Sequence, residues 1–219
     1  MKTAVVVFPA SNCDRDAQVA LRSVTGQEPH MVWHAETALP EGLDLVVLPG
    51  GFAHGDYLRC GAIAARAPIM DAVIKRAEAG GPTLGICNGF QILCESGLLP
   101  GALMSNTNQH FISREVTLRV EAGDSPFTKS YAPGAYTRFP VAHHDGNYQA
   151  SDEALNQLEG EGRVAFRYAE PINGAARNIA GILSADKKTL GLMPHPERAM
   201  GKDAHGQTFF KNTLEALAA

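Results

Sequence analysis

The chain contains no run of roughly 18 consecutive apolar residues, so no part of it is long enough to span a bilayer as a helix. Cysteine is scarce, four residues in 219 with no C-x-x-C pair, which excludes a disulfide scaffold and leaves no signature of structural zinc or dithiol redox chemistry. Charge of one sign is also lacking. Nineteen basic residues face 23 acidic ones, for a formal charge of −4, and no stripe of Lys and Arg offers phosphates a track, so no nucleic-acid partner is expected. Internal repeats, low-complexity tracts and a Pro/Gly linker are absent, the 13 prolines and 22 glycines being spread along the chain. The opening MKTAVVVFPASNCDRD lacks the charge, apolar run and cleavage-site order of a signal peptide. What is present, 45% apolar and 19% charged residues over a length that suits one α/β domain, predicts a soluble globular protein of a single domain, residues 1–219, in the cytoplasm.

The hydrophobic pattern alternates between two periods. Apolar, β-branched runs at Thr3 to Phe8, His30 to His34 and Leu43 to Leu48 read as strands. Between the first two, Ala17, Val19, Ala20, Leu21 and Val24 recur at near-helical spacing over Asp14 to Thr25, and Gly26 follows as a C-cap. A second helix is expected over about Ala62 to Ala79, closed by Gly80-Gly81-Pro82 and followed by a strand at Thr83 to Ile86. This βαβ alternation predicts a mostly parallel sheet covered on both faces. The second half is less regular, with strands expected at Glu115 to Glu121, Val164 to Tyr168, Ile179 to Ser184 and Thr189 to Met193, some pairing antiparallel, and a final helix over about His205 to Ala218.

The sharpest chemical signal is Gly85-Ile86-Cys87-Asn88-Gly89-Phe90-Gln91, where a short strand runs through G-x-C-x-G into an apolar helix. A nucleophile presented on a sharp strand-to-helix turn needs neighbours of little bulk, which the glycines provide. The N-terminus of the next helix then favours the thiolate of Cys87, and the Asn88 N–H faces a developing oxyanion. A thiol nucleophile needs a base, and Met193-Pro194-His195-Pro196-Glu197-Arg198 supplies a proline-flanked His195 with Glu197 two residues on, on one side of an extended segment. His143 and His144 compete for that role but lack such a carboxylate. Cys13, Cys60 and Cys94 show no elbow pattern and read as structural. Leu45 to Leu48 runs into Gly50-Gly51-Phe52, where Gly51 or Phe52 could donate a second oxyanion N–H. The loop His54-Gly55-Asp56-Tyr57-Leu58-Arg59 is unusually rich in function-capable side chains. Each feature taken alone has a plainer reading: a cysteine filling a tight crossing, a proline-rich turn, a solvated loop.

Taken together, these motifs resemble the class I glutamine amidotransferases, and among them the glutaminase subunits of phosphoribosylformylglycinamidine synthases, over essentially the whole chain. The wider family is carried by G-I-C-N-G-F-Q at Gly85 to Gln91 and M-P-H-P-E-R at Met193 to Arg198. The subfamily is carried by N-C-D-R-D at Asn12 to Asp16, G-G-F-x-x-G-D-Y-L-R at Gly50 to Arg59, A-H-x-x-G-N-Y at Ala142 to Tyr148 and N-G-x-x-x-N-I-A-G-I at Asn173 to Ile182. The resemblance implies a flavodoxin-like α/β fold and a Cys87–His195–Glu197 triad that hydrolyses the side-chain amide of glutamine. It makes Gly51, Phe52, Asn88 and Gln91 the oxyanion and substrate contacts, and His54, Asp56, Tyr57 and Arg59 a partner-coupling loop. Ammonia would pass to a large synthetase subunit, with a small third subunit in the same complex. No metal or cofactor is implied for this chain, whose sequence lacks a phosphate loop of the G-x-x-x-x-G-K-[ST] type; ATP and Mg belong to the synthetase. Three departures stand out: His54 where the subfamily pattern has Tyr, His144-Asp145 where it has Gly-Glu, and Glu170-Pro171-Ile172-Asn173 where it has Asn-Pro-Asn. A γ-glutamyl hydrolase would keep the triad without the G-D-Y-L-R loop, and a sensor or chaperone of the same fold would lack the intact His-Pro-Glu.

Overall fold

Alternating β-branched residues and amphipathic helices build one nine-stranded sheet in the computed structural model, which describes residues 1–132, 134–201 and 205–218. Strand β1 (Thr3–Val7) lies between β2 (His30–Trp33) and β3 (Leu45–Leu48), followed by β4 (Thr83–Ile86) and β11 (Thr189–Leu192), all parallel. Beyond β11 the sheet turns antiparallel through β10 (Ile179–Leu183), β9 (Val164–Tyr168), β6 (Ile112–Val120) and β7 (Tyr136–His143). Strands β3, β4 and β11 are buried at every residue, as strands covered on both faces must be, whereas β6 alternates buried and exposed positions along its last five residues.

Helix α1 (Asp14–Thr25) ends at Gly26 in the left-handed conformation, as its sequence predicts. Helix α2 (Pro68–Glu78) is shorter than expected because Pro68 occupies its first turn and Ala64–Arg66 forms a separate 3₁₀ turn. Helices α3 (Asn88–Glu95) and α5 (His205–Ala218) stand where the pattern places them. Four elements went unread: the edge strand β7, the small β5 (Ala102–Met104) and β8 (Asn147–Gln149) ribbon, and α4 (Asp152–Gly160), which is capped by Ser151. Strand β6 also begins earlier than expected, at Ile112.

Candidate active site

At the C-terminal end of β4 the chain enters α3 through Cys87, whose backbone is held at φ 50° and ψ −105°, a conformation L-residues rarely adopt. The two flanking glycines permit it: a Cβ on Gly85 would stand 2.6 Å from the Gly89 carbonyl oxygen, and one on Gly89 would collide with the Leu48 carbonyl of β3. Helix α3 therefore packs its first turn directly on the sheet, and Cys87 is lifted to the sheet edge. Asn88 is the first helical residue, so its N–H has no intrahelical acceptor and stays available to an anion.

His195 follows β11 and is only 1% exposed; its backbone N–H donates to the Pro140 carbonyl of β7 at 2.8 Å, so the sheet's far edge strand returns to the site. The imidazole Nδ1 lies 2.6 Å from Oε1 of the buried Glu197. Nδ1–H therefore donates to the carboxylate, leaving Nε2 as the nitrogen that exchanges a proton with the thiol. Burial by itself lowers the imidazole's pKa; the Glu197 carboxylate and the neighbouring Cys87 and Cys13 sulfurs outweigh it, leaving His195 raised well above its usual value. Nε2 makes no hydrogen bond to the described residues, so Cys87 is near enough to act on it electrostatically without yet bonding it in good geometry.

A cavity of about 20 Å³ opens beside Cys87, lined by Gly51, Phe52, Asp56, Cys60, Gln91 and the turn from Ala142 to Asp145. That is room for about one water. Its wall is a hydrogen-bonded lattice. Asn88 Oδ1 accepts the Ala53 N–H at 3.2 Å, while Asn88 Nδ2 donates to Asp56 Oδ1 and to Gln91 Oε1, and Gln91 Nε2 donates to the Asp145 carbonyl. Asp145 in turn accepts from Ser105, His144 and Cys60. Burial raises the Asp56 carboxyl and, together with the Asp56 and Asp145 charges, pushes the Cys60 thiol up.

Several expected roles change with this geometry. The Phe52 N–H is taken by the Ala10 carbonyl at 3.2 Å, so of the two candidate donors at this turn only Gly51 keeps its N–H without a backbone acceptor. Asp56 and His54 do not face outward: Asp56 closes the cavity, and His54 packs edge-on against His34 with ring centroids 5.2 Å apart. Tyr57 and Arg59 are the exposed members of that loop, together with Leu58 at 89%, and Arg59 rests on Glu95 of α3 through two hydrogen bonds. Gln91 serves the wall of the site through its side-chain bonds.

Cys13, read as structural, is buried beside the triad. Its sulfur and the Cys87 Cβ both fall within 3.3 Å of the position a Cβ on Gly50 would take, a position 2.7 Å from His195 Cε1. Arg198 Nη2 donates to the Cys13 sulfur at 3.0 Å, and Arg198 Nε donates to Asp16 at 2.9 Å. Donor atoms of Cys13, His195 and Glu197 lie within 4.8 Å of one another, close enough to hold a soft divalent ion. The guanidinium on the same sulfur opposes a cation there, and the His195–Glu197 hydrogen bond occupies one donor of each residue. His143 and Asp145 are the other residues of the site whose place only the structure reveals, because β7 and the turn after it carry no periodic signal.

Known proteins resemble this chain from end to end. A profile of CobB/CobQ-like glutamine amidotransferase domains matches residues 1–212. The phosphoribosylformylglycinamidine synthase subunit PurQ of Zymomonas mobilis is 60% identical, with 100% of each chain covered, and that of Bradyrhizobium diazoefficiens is 57% identical, covering 100% of this chain and 97% of the other. Among solved structures, a chain of the PurLQS structure from Thermotoga maritima superposes with a TM-score of 0.87 at 42% identity, covering 99% of this chain and 97% of that one.

Proposed function

Because the chain belongs to the CobB/CobQ-like glutamine amidotransferase family, we propose a division of labour among its residues for glutamine hydrolysis within a phosphoribosylformylglycinamidine synthase. The full-length relatives carry that subunit name, and the PurLQS neighbour is named for a complex of three kinds of subunit. The chain releases ammonia from the side-chain amide of glutamine and passes it to a large synthetase subunit, with a small third subunit alongside. ATP and Mg act in the synthetase, and the whole of 1–219 works as one glutaminase domain in the cytoplasm.

The observation that carries the reading is the conjunction at one sheet edge of a strained Cys87 elbow and a buried His195 held by Glu197. His195 Nε2 takes the Cys87 proton as the sulfur attacks the amide carbon. The Asn88 and Gly51 N–H groups receive the oxyanion, and the imidazolium, stabilised by Glu197, returns the proton to departing ammonia. Water activated by the same imidazole then releases glutamate.

The cavity beside Cys87 is small, and Gly51, Phe52, Asp56 and Cys60 form one side of it. That side of the cavity continues into the exposed Tyr57, Leu58 and Arg59, and their exposure next to the site supports this segment as the partner's contact. Steady-state glutamate release by the chain alone, then with synthetase, then with synthetase and nucleotide substrate, tests the reading; stepwise activation is expected. Glutamate release by Cys87→Ala at the wild-type rate would overturn it.

A further inference from the structure

His143 ends β7, is 3% exposed, and lines the same small cavity as Cys87. Its tautomer can be read from its neighbours. Asn106 Nδ2 donates to the carbonyls of His110 and His143, both at 2.9 Å, and Asn106 Oδ1 accepts the Gly146 N–H at 3.2 Å. The amide is thereby oriented with its oxygen toward His143 Nδ1, 3.1 Å away, so Nδ1 carries the hydrogen. Nε2 is left with a lone pair, buried and without a hydrogen-bond partner among the described residues. A buried acceptor left unmade is costly, and the large majority of buried side-chain polar atoms in native proteins have a partner.

Burial, then the neighbouring charge of His195, lowers the His143 imidazole to about 4, so it stays neutral under physiological conditions. The two imidazoles of the site are driven apart. His195, on a carboxylate, is the proton carrier; His143, on a neutral amide, is a weak base and a fixed acceptor.

We infer that His143 Nε2 accepts a hydrogen bond from the side-chain NH2 of bound glutamine, and so makes His143 the residue that distinguishes glutamine from its product glutamate. The inference rests on the glutaminase reading above and deepens it. The amide oxygen of glutamine points to the oxyanion N–H groups, which leaves its nitrogen, a donor twice over, in need of an acceptor. His143 meets that need from the end of β7. Asp56 and Asp145 already accept side-chain hydrogen bonds, Asp56 from Asn88 and Asp145 from Ser105, His144 and Cys60, whereas His143 Nε2 accepts none among the described residues. A γ-carboxylate in the same place has no hydrogen to offer and meets a lone pair, so glutamate is repelled after hydrolysis. No new covalent step is involved.

The test uses the complex with synthetase and two substrates, glutamine and γ-glutamyl methyl ester, whose leaving group carries no N–H. His143→Asn preserves a donor to Asn106 Oδ1 and deletes Nε2; His143→Gln returns an amide oxygen near the Nε2 position. For His143→Asn, kcat/KM on glutamine should fall by about 10- to 100-fold, the effect of one buried hydrogen bond, while the ester changes by less than about threefold. His143→Gln should recover part of the loss, product inhibition by glutamate should tighten in His143→Asn, and synthesis from free ammonia should be unchanged. His143→Phe, which keeps the ring volume, gives the same comparison if His143→Asn fails to assemble. Equal losses on amide and ester, or no loss on glutamine, would overturn the inference. A wild-type complex that releases no glutamate from glutamine would instead remove the glutaminase reading on which it rests.

Discussion

Cys87 is held in a positive-φ conformation, and no other cysteine of the chain is. Cys87→Ala or Cys87→Ser should therefore abolish glutamine-dependent synthesis while the complex still uses free ammonia, and a thiol-alkylating glutamine analogue should label Cys87 alone. Cys13 makes this a demanding test, because its buried sulfur lies beside the same imidazole; label on Cys13 would mean that the wrong thiol has been assigned. His195→Ala should cost at least about 10²-fold, and Glu197→Ala less, since Glu197 acts only through the imidazole; kcat measurements on the complex rank the two. His143 adds a prediction on stability. Its folded pKa of about 4 lies below the usual histidine value, so the unfolded chain binds a proton that the folded chain refuses. The stabilisation is fully present above the ordinary histidine pKa and is lost as pH falls toward 4, a change of about 3 kcal/mol at most. His195, raised instead, contributes on the other side, its share being lost as pH rises through its folded value. Urea midpoints between pH 7 and 4.5 should fall steeply for the wild type and less for His143→Asn.

At the scale of elements, the crossing of α3 over β3 and β4 decides whether Cys87 can be presented at all. Gly89→Ala should gain up to about 1 kcal/mol in helix propensity, yet its Cβ would run into the Leu48 carbonyl, which cannot retreat without breaking β3 from its neighbours. A net destabilisation of more than about 2 kcal/mol by chemical denaturation, with loss of glutaminase activity, is the expected result. The elbow was legible because it is local: strand, small residue, nucleophile and small residue adjoin in sequence. Strand β7 was not, because a proline at position 140 and polar residues at Tyr136, Thr137 and Arg138 obscure its alternation, and its assignment depends on pairing with β6. The same holds for β5 and β8, three residues each, which exist only as each other's partners.

At the scale of the whole molecule, the small cavity and the exposed Tyr57, Leu58 and Arg59 belong to one segment, residues 50–61, tethered inside by Asn88 and outside by Arg59 on Glu95. The chain alone should be a poor glutaminase if contact by the synthetase is what aligns the Gly51 N–H with the oxyanion, since one lost oxyanion donor costs roughly 10²- to 10³-fold. Substituting Tyr57 or Arg59 should weaken association with the synthetase or uncouple glutamate release from amidine formation, with the fold intact. Unchanged binding and coupling in both variants would return the loop to a solvated surface. Tyr57 at 74% exposure is the better probe, because Arg59 has a second role in bracing α3.

The sequence by itself determined the parallel half of the sheet, the elbow and the His195–Glu197 pair, because each depends on residues within a few positions of one another. Tertiary structure alone decided which groups surround them. Cys13 and Arg198 stand 185 positions apart and meet because α1 and the turn after β11 share one end of the sheet. His143 reaches the site because the sheet's far edge folds back, so that Pro140 accepts the His195 N–H. The Phe52 N–H is lost to Ala10 because the backbone preceding α1 passes beside it. Periodicity records which face of an element is apolar, and it carries no record of which polar groups the closure of distant elements brings together.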